Sequence, residues 1–452
     1  MKLRGTVCVA LALALLAGGC GDDTVTGEAL LTCDITKANC QRGIYVSVAE
    51  RLGVDPGEAP PVRTISVEQF EQELYEDYES GDLEEDAYSR GLRLMGFLPD
   101  EPASLLGNQL DYLLENVAAY YSSNTAAITV IDRDYEDWSA QGILAHEFVH
   151  AIQDRQFGFT TIWKDVETED SSVATRSVIE GDAQHASYDW LYQVAGLMLS
   201  RADWAEFHDQ IKENILLEVR DPETRLMDAA SLFPYGYGFE FMSEAYFAGD
   251  LEAREALWRA PPRTTQAILL GYGVFASGEL DEGRPWLPAH PSPVEGYETL
   301  GDTALGAFYL YAFLLRYGLT EADAWELMSA MTEDTFDVYE ASSGVVSVWR
   351  IGLSDELLAD GVFEAIAGAE RPVSWSASWH EQAVYVIAAE DDETRLQWET
   401  QLLDPIEAVP AEALGGVAAV EAGLQRPRRR ISVGTCLGVR GSMPSAAGLL
   451  GH

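Results

Sequence analysis

An α+β, predominantly α-helical fold is predicted by three observations. Apolar residues recur at helical spacing through most of the chain, in an acidic background. Two short β-branched runs, Ala127–Asp132 and Ala383–Ala389, read as strands. Between them lies Ala145-His146-Glu147-Phe148-Val149-His150-Ala151-Ile152-Gln153-Asp154, an H-E-x-x-H pattern inside a run that reads as helix.

The chain has 452 residues, 47% of them hydrophobic, enough to bury a large core. With 29 basic against 75 acidic residues its formal charge is −46, which repels nucleic acid and anionic lipid headgroups. Lys2 and Arg4 precede an apolar run too short to span a membrane, so residues 1–19 read as a signal peptide. The small residues before Cys20 resemble a bacterial lipobox, with Ala17 where Leu, Val or Ile is usual. Cys20 is expected to carry a lipid, which would be the chain's one contact with the membrane and would make it an exported envelope lipoprotein. Ordinary signal cleavage, giving a periplasmic or secreted product, is the alternative. Cys33 and Cys40 lie close together in an exported chain and suit a short-loop disulfide. No cysteine has C-x-x-C spacing, which argues against a thiolate metal site.

Residues 20–62 are expected to be a lipid-anchor tether and linker, since 21–32 is small and polar and 53–61 holds three prolines and two glycines. The main domain is expected over 63–420, with a core at 117–200, a helical extension at 201–370 and a small α+β module at 371–405. Ser66 with Gln69 suits a capping box, and helices are predicted at 88–95 and 103–121. Ser139 suits the N-cap of the motif helix, and 171–200 reads as one long helix. Residues 302–317 read as a buried helix. Acidic runs such as 165–170 read as solvated faces. Residues 421–452, with Arg426, Arg428, Arg429 and Arg430, are expected to be a disordered basic tail.

The motif carries the chemistry. On a helix, positions four apart lie about 40° apart, so His146 and His150 can hold one metal ion with Glu147 beside it. The same wheel puts Leu144, Phe148, Val149 and Ile152 on a nearly opposite apolar face, as suits a helix packed on one side and lining a cleft on the other. A catalytic Zn2+ needs a third protein ligand and an open position. Glu180, in the middle of the next helix, is the choice, with Asp182 and His185 as rivals. Asp182 sits about 200° from Glu180 on the wheel and reads as a solvated or salt-bridged surface acid. Gly181 and Ala183 are small and would let this helix approach the motif helix.

His146-Glu147-x-x-His150 followed by a helix with Glu180 resembles the gluzincin group of zincin metallopeptidases. The runs HEFVHAIQD and IEGDA are similar to a family of poorly characterised exported bacterial putative metallopeptidases. The resemblance implies a zincin-like catalytic core, one Zn2+ on His146, His150 and Glu180, and Glu147 as general base in peptide-bond hydrolysis. It also implies an acid after the second histidine, as Asp154 is here. The chain departs from the pattern at Gln184, where many gluzincins have an acid, and at Leu269-Leu270-Gly271-Tyr272, where the closer family has a histidine. Candidates to orient the ligands or to donate to the oxyanion are Asp154, Gln184, His185, Tyr188, Tyr235 and His290. The strand near 128–131 is expected to receive a peptide or protein substrate by strand addition. An envelope-anchored binding or structural lipoprotein with a degenerate zinc site is the alternative, and a zinc site acting on another amide is a third reading.

Overall fold

The computed structural model describes residues 24–76, 84–98, 104–135, 138–222, 224–271, 293–368, 374–380, 382–403 and 435–439. Cys20, the signal segment, His290 and most of the basic tail lie outside these residues. The described residues form an α+β structure, mostly helical, with two small sheets. None of their helices is long and apolar enough to cross a membrane.

The first sheet has the order β1-β3-β2-β9. Strand β1 (Val62–Ser66) runs parallel to β3 (Ala127–Asp132), and β2 (Val117–Ser122) lies antiparallel along the other side of β3. With both sides paired, β3 offers no edge for a substrate strand, contrary to the sequence expectation. Strand β9 (Thr435–Val439) pairs antiparallel with β2, so this part of the tail is not the disordered segment expected. Five residues are too few to show a period, and main-chain pairing to an edge needs none.

The segment expected to be a tether is also folded. A 3-10 helix (Gly27–Leu31) and helix α1 (Ala38–Arg51) pack on the core through Leu30, Ile44, Tyr45, Val48 and Ala49. Cys33 and Cys40 are joined by a disulfide that ties the two helices together. Helix α2 (Val67–Tyr75) is capped by Ser66, whose hydroxyl accepts from the Gln69 N–H. Helix α3 (Ala87–Leu94) follows the predicted span closely, with Asp86 as cap. Helix α4 (Leu105–Asn116) stops five residues before the predicted end at 121, because Val117 begins β2. The leucine spacing runs on to Val117 and hides the change of period.

The motif helix is α5 (Ser139–Phe157); its N-cap is Trp138, and Ser139 lies inside the first turn. After the short α6 (Phe159–Ile162), helix α7 (Glu169–Val194) is capped by a Thr168–Ser171 box and ends before Gly196, whose φ of +73° turns the chain. Ser200 instead caps a separate helix, α8 (Arg201–Arg220). Helix α9 (Leu226–Phe233), a π-helical turn (Pro234–Gly238) and α10 (Phe239–Arg259) then run almost continuously.

The predicted helical extension contains α11 (Thr265–Leu269), α12 (Ala307–Arg316), α13 (Glu321–Ser329) and α14 (Glu356–Ala367), but also three strands. β4 (Glu298–Thr303), β5 (Met331–Ala341) and β6 (Gly344–Leu353) join β7 (Ser374–His380) and β8 (Ala383–Ala389) in one antiparallel sheet, order β4-β5-β6-β8-β7. The module expected at 371–405, which ends in α15 (Asp392–Leu403), is therefore part of a larger unit that begins near Glu298. The β5–β6 hairpin was hidden because both faces are covered. Val345 and Trp349 enter the main core, while Tyr339, Val346 and Val348 pack on Trp398 of α15. A strand buried on both faces has no polar alternation and reads like a buried helix. Asp170, expected on a solvated face, is buried and accepts from the Thr265 N–H and hydroxyl.

A steric contact holds one side of α7. A Cβ built on Gly181 would lie 2.2 Å from the Gly238 carbonyl oxygen, and one on Gly238 would lie 2.6 Å from the Ser177 oxygen. The bare backbones of α7 and the π-turn touch here, so Gly181 serves the π-turn rather than the motif helix as expected. Gly181→Ala is expected to destabilise the fold by about 1–3 kcal/mol, because only backbone faces the new methyl; thermal denaturation measures it.

Candidate metal centre

Helix α5 is buried on both faces. Leu144, Phe148 and Ile152 join the main core, and Phe148 meets Tyr45 of α1 with ring centroids 5.2 Å apart. On the other face His146, Glu147 and His150 are only 4%, 0% and 0% exposed, so this face is closed over by its neighbours rather than lining open solvent. Helix α7 carries Glu180 against it.

The three predicted ligands meet. His146 Nε2 and His150 Nε2 are 3.0 Å apart, and Glu180 Oε2 is 3.3 Å from each. A tetrahedral ion with ligand bonds of about 2.0–2.1 Å places its ligands about 3.3–3.4 Å apart, so the three atoms already span one face of such a tetrahedron. His146, His150 and Glu180 thus form a buried group that can hold a metal ion, and the donor set suits it. Burial opposes charge on Glu180, but the imidazoles of His150 and His146 outweigh it and hold the carboxyl well below its usual range. Burial, reinforced by the neighbouring His150 imidazole, pushes His146 down, which keeps its imidazole neutral and ligand-competent.

The orientation of His150 comes from a residue the sequence reading missed. Gln153 Oε1 lies 2.7 Å from His150 Nδ1, so Nδ1–H donates to it and Nε2 is left with a lone pair. Gln153 Nε2 in turn donates to Asp182 Oδ2 at 2.8 Å and to the Ile179 carbonyl at 3.0 Å. Asp182 is fully buried, not a surface acid. It accepts from Arg254 Nε at 2.8 Å, the Tyr246 hydroxyl at 2.8 Å and Trp258 Nε1 at 3.0 Å. Burial works against its charge, and the Arg254 guanidinium with these donors lowers its pKa all the same. The local signal for Gln153 was its place three residues after His150, on the same helix face. Arg254 lies far along the chain and left no such signal.

The other candidates separate clearly. Tyr235, on the π-turn, faces the centre: its ring stacks near that of His146 with centroids 6.4 Å apart. Asp154 does not take part in the metal group; it accepts from the Tyr121 hydroxyl and the Phe159 N–H and so fastens the end of α5 to β2. His185 is turned away, bonded through Nδ1 to the Ser243 hydroxyl at 2.8 Å and stacked on Tyr246. The same hydroxyl meets His208, and burial pushes the His185 pKa down to about 3, as for a neutral core histidine. Tyr188 packs among Tyr192, Phe207 and Phe239. Gln184, half-buried on α7, is not part of the metal group.

Gln153→Ala is expected to lower metal affinity about 10–100-fold, because His150 loses its orienting acceptor. Asp154→Asn is expected to change affinity less than about threefold, since its bonds hold the helix end and not the ligands. Competition against a chromogenic chelator measures both. The chain matches no protein-family model, no curated protein and no solved structure.

Proposed function

We propose that the chain is an exported zinc-dependent peptidase of gluzincin type. The observation that carries this reading is the triangle of His146, His150 and Glu180 at tetrahedral spacing, with Glu147 next to the first ligand on α5. Two imidazoles and one carboxylate leave an open position, as in catalytic rather than structural zinc sites. Bound zinc supplies Lewis acidity and brings the pKa of water at that position towards neutrality.

The chain's own residues do the rest. Glu147, fully buried, accepts the proton of the attacking water and passes it to the departing amine. Its burial keeps competing solvent away from that proton. Tyr235, beside His146, donates to the developing oxyanion. Gln153 and Asp182 hold His150 in the tautomer that ligates. Lipidation at Cys20 would fix the enzyme to the envelope, with substrates outside the cytoplasm.

Glu147→Gln is expected to lower kcat on a peptide library by about 10²–10⁴ while zinc content stays at the wild-type value. Tyr235→Phe is expected to lower kcat by about 10²–10³ with little change in KM. A Glu147→Gln protein that keeps wild-type peptidase activity with zinc bound overturns the mechanism. A wild type that binds zinc yet cleaves no peptide favours the binding-protein reading instead.

A further inference from the structure

A cavity of about 260 Å³ adjoins the metal centre on the Glu180 side. Its walls are α4, α7 and α9, and Glu180, Arg176, Tyr112, Glu169 and Asp228 are among the residues lining it. Arg176 and Glu180 are four apart on α7, so they share a face about 6 Å apart along the helix.

Among the described residues lining this cavity Arg176 is the one cation, and it lacks a close partner. Arg176 has no ion pair within 4 Å and no hydrogen bond among the described residues; its field comes from Tyr235, Glu180, Glu169 and Tyr112. Each nearby acid is otherwise engaged. Glu180 is committed to the two imidazoles. Asp228 pairs with Arg225, and Glu169 accepts from the Tyr309 hydroxyl at 3.5 Å. Burial also raises the pKa of both Asp228 and Glu169, which weakens their claim on a neighbouring cation. The Tyr112 hydroxyl is buried and makes no hydrogen bond among the described residues. A guanidinium with an open fork and a hydroxyl with a spare proton, at one cavity, are the donors that a carboxylate takes. The Tyr112 hydroxyl left without a partner inside the fold is costly, and an incoming acceptor beside the half-buried Arg176 removes that cost.

We propose that this cavity is a substrate carboxylate subsite, in which Arg176 and Tyr112 bind a carboxylate one helical turn from the metal centre. The inference rests on the peptidase reading for the identity of the ligand as a peptide. The carboxylate is either the free C-terminus of the residue beyond the cleaved bond or an acidic side chain beside it. Arg176 and Tyr112 are thereby specificity residues, and the reacting atoms are left to Glu147 and the metal ligands.

The test measures binding, not turnover, on full-length zinc-loaded Glu147→Gln protein. Three probes are titrated calorimetrically: Ala-Ala-Ala-Phe with a free C-terminus, the same peptide amidated, and amidated Ala-Ala-Ala-Glu. The expected result is binding at least tenfold tighter for one of the two carboxylate probes than for the amidated Phe peptide. Preference for the first assigns the C-terminus; preference for the third assigns the side chain. Arg176→Gln is expected to abolish the preference, Arg176→Lys to restore part of it, and Tyr112→Phe to reduce it about three- to tenfold, with thermal unfolding checking that each variant is folded. Equal binding of all three probes, or a preference that survives Arg176→Gln in folded protein, overturns the proposal. A carboxylate preference in a protein whose wild type cleaves no peptide leaves the subsite standing and removes only the peptidase reading.

Discussion

Gln153 is the point on which the rest of the centre depends. Its amide oxygen takes the Nδ1 proton of His150, and its amide nitrogen grips Asp182 and the backbone of α7. An amide can do both because it carries an acceptor and a donor on opposite atoms. A single side chain therefore selects the histidine tautomer and locks the motif helix to the helix that carries Glu180. Asp182 can remain charged in the interior only because Arg254, Tyr246 and Trp258 surround it. Removing Arg254 would leave a buried carboxylate uncompensated, a loss of about 3–5 kcal/mol in comparable buried pairs.

The second constraint is steric. Gly181 and Gly238 bring the backbone of α7 against the π-turn, and the π-turn carries Tyr235 to His146. The extra residue of a π-turn displaces the helical register locally, and such turns are common where a side chain must be aimed. The polar bridge at Gln153 and the bare contact at Gly181 thus fix α7 from two sides. Between them lies Glu180, and beyond it the cavity with Arg176.

The centre was legible in the sequence to the extent that its residues are close in the chain or obey helical arithmetic. His146, Glu147 and His150 follow from a four-residue spacing, and Glu180 from being an acid in the next helix flanked by small residues. Asp182 was misread as a surface acid because helical phase tells only that it faces away from Glu180, and the far side of α7 is also interior. Apart from Gln153 its partners come from α10, and nothing local in the sequence announces a contact spanning 72 residues. Strands showed where one face met solvent or a β-branched run was bounded by turns, as at Ala127–Asp132 and Ala383–Ala389. The β5–β6 hairpin, covered on both faces, lost its alternation and was absorbed into a helical region. Helix α1 was legible in principle: Ile44, Tyr45 and Val48 fall on one face, but the polar residues before it made the whole segment read as tether.

Under the proposed function, two imidazoles and one carboxylate hold a zinc ion with a position left open. X-ray absorption on the zinc-loaded, full-length protein tests it most directly. The account predicts one zinc per chain, two imidazole nitrogens at about 2.0–2.1 Å, oxygen donors for the rest and no sulfur, with one imidazole lost in His150→Ala. Sulfur in the coordination shell, or an unchanged spectrum in His150→Ala, would contradict it.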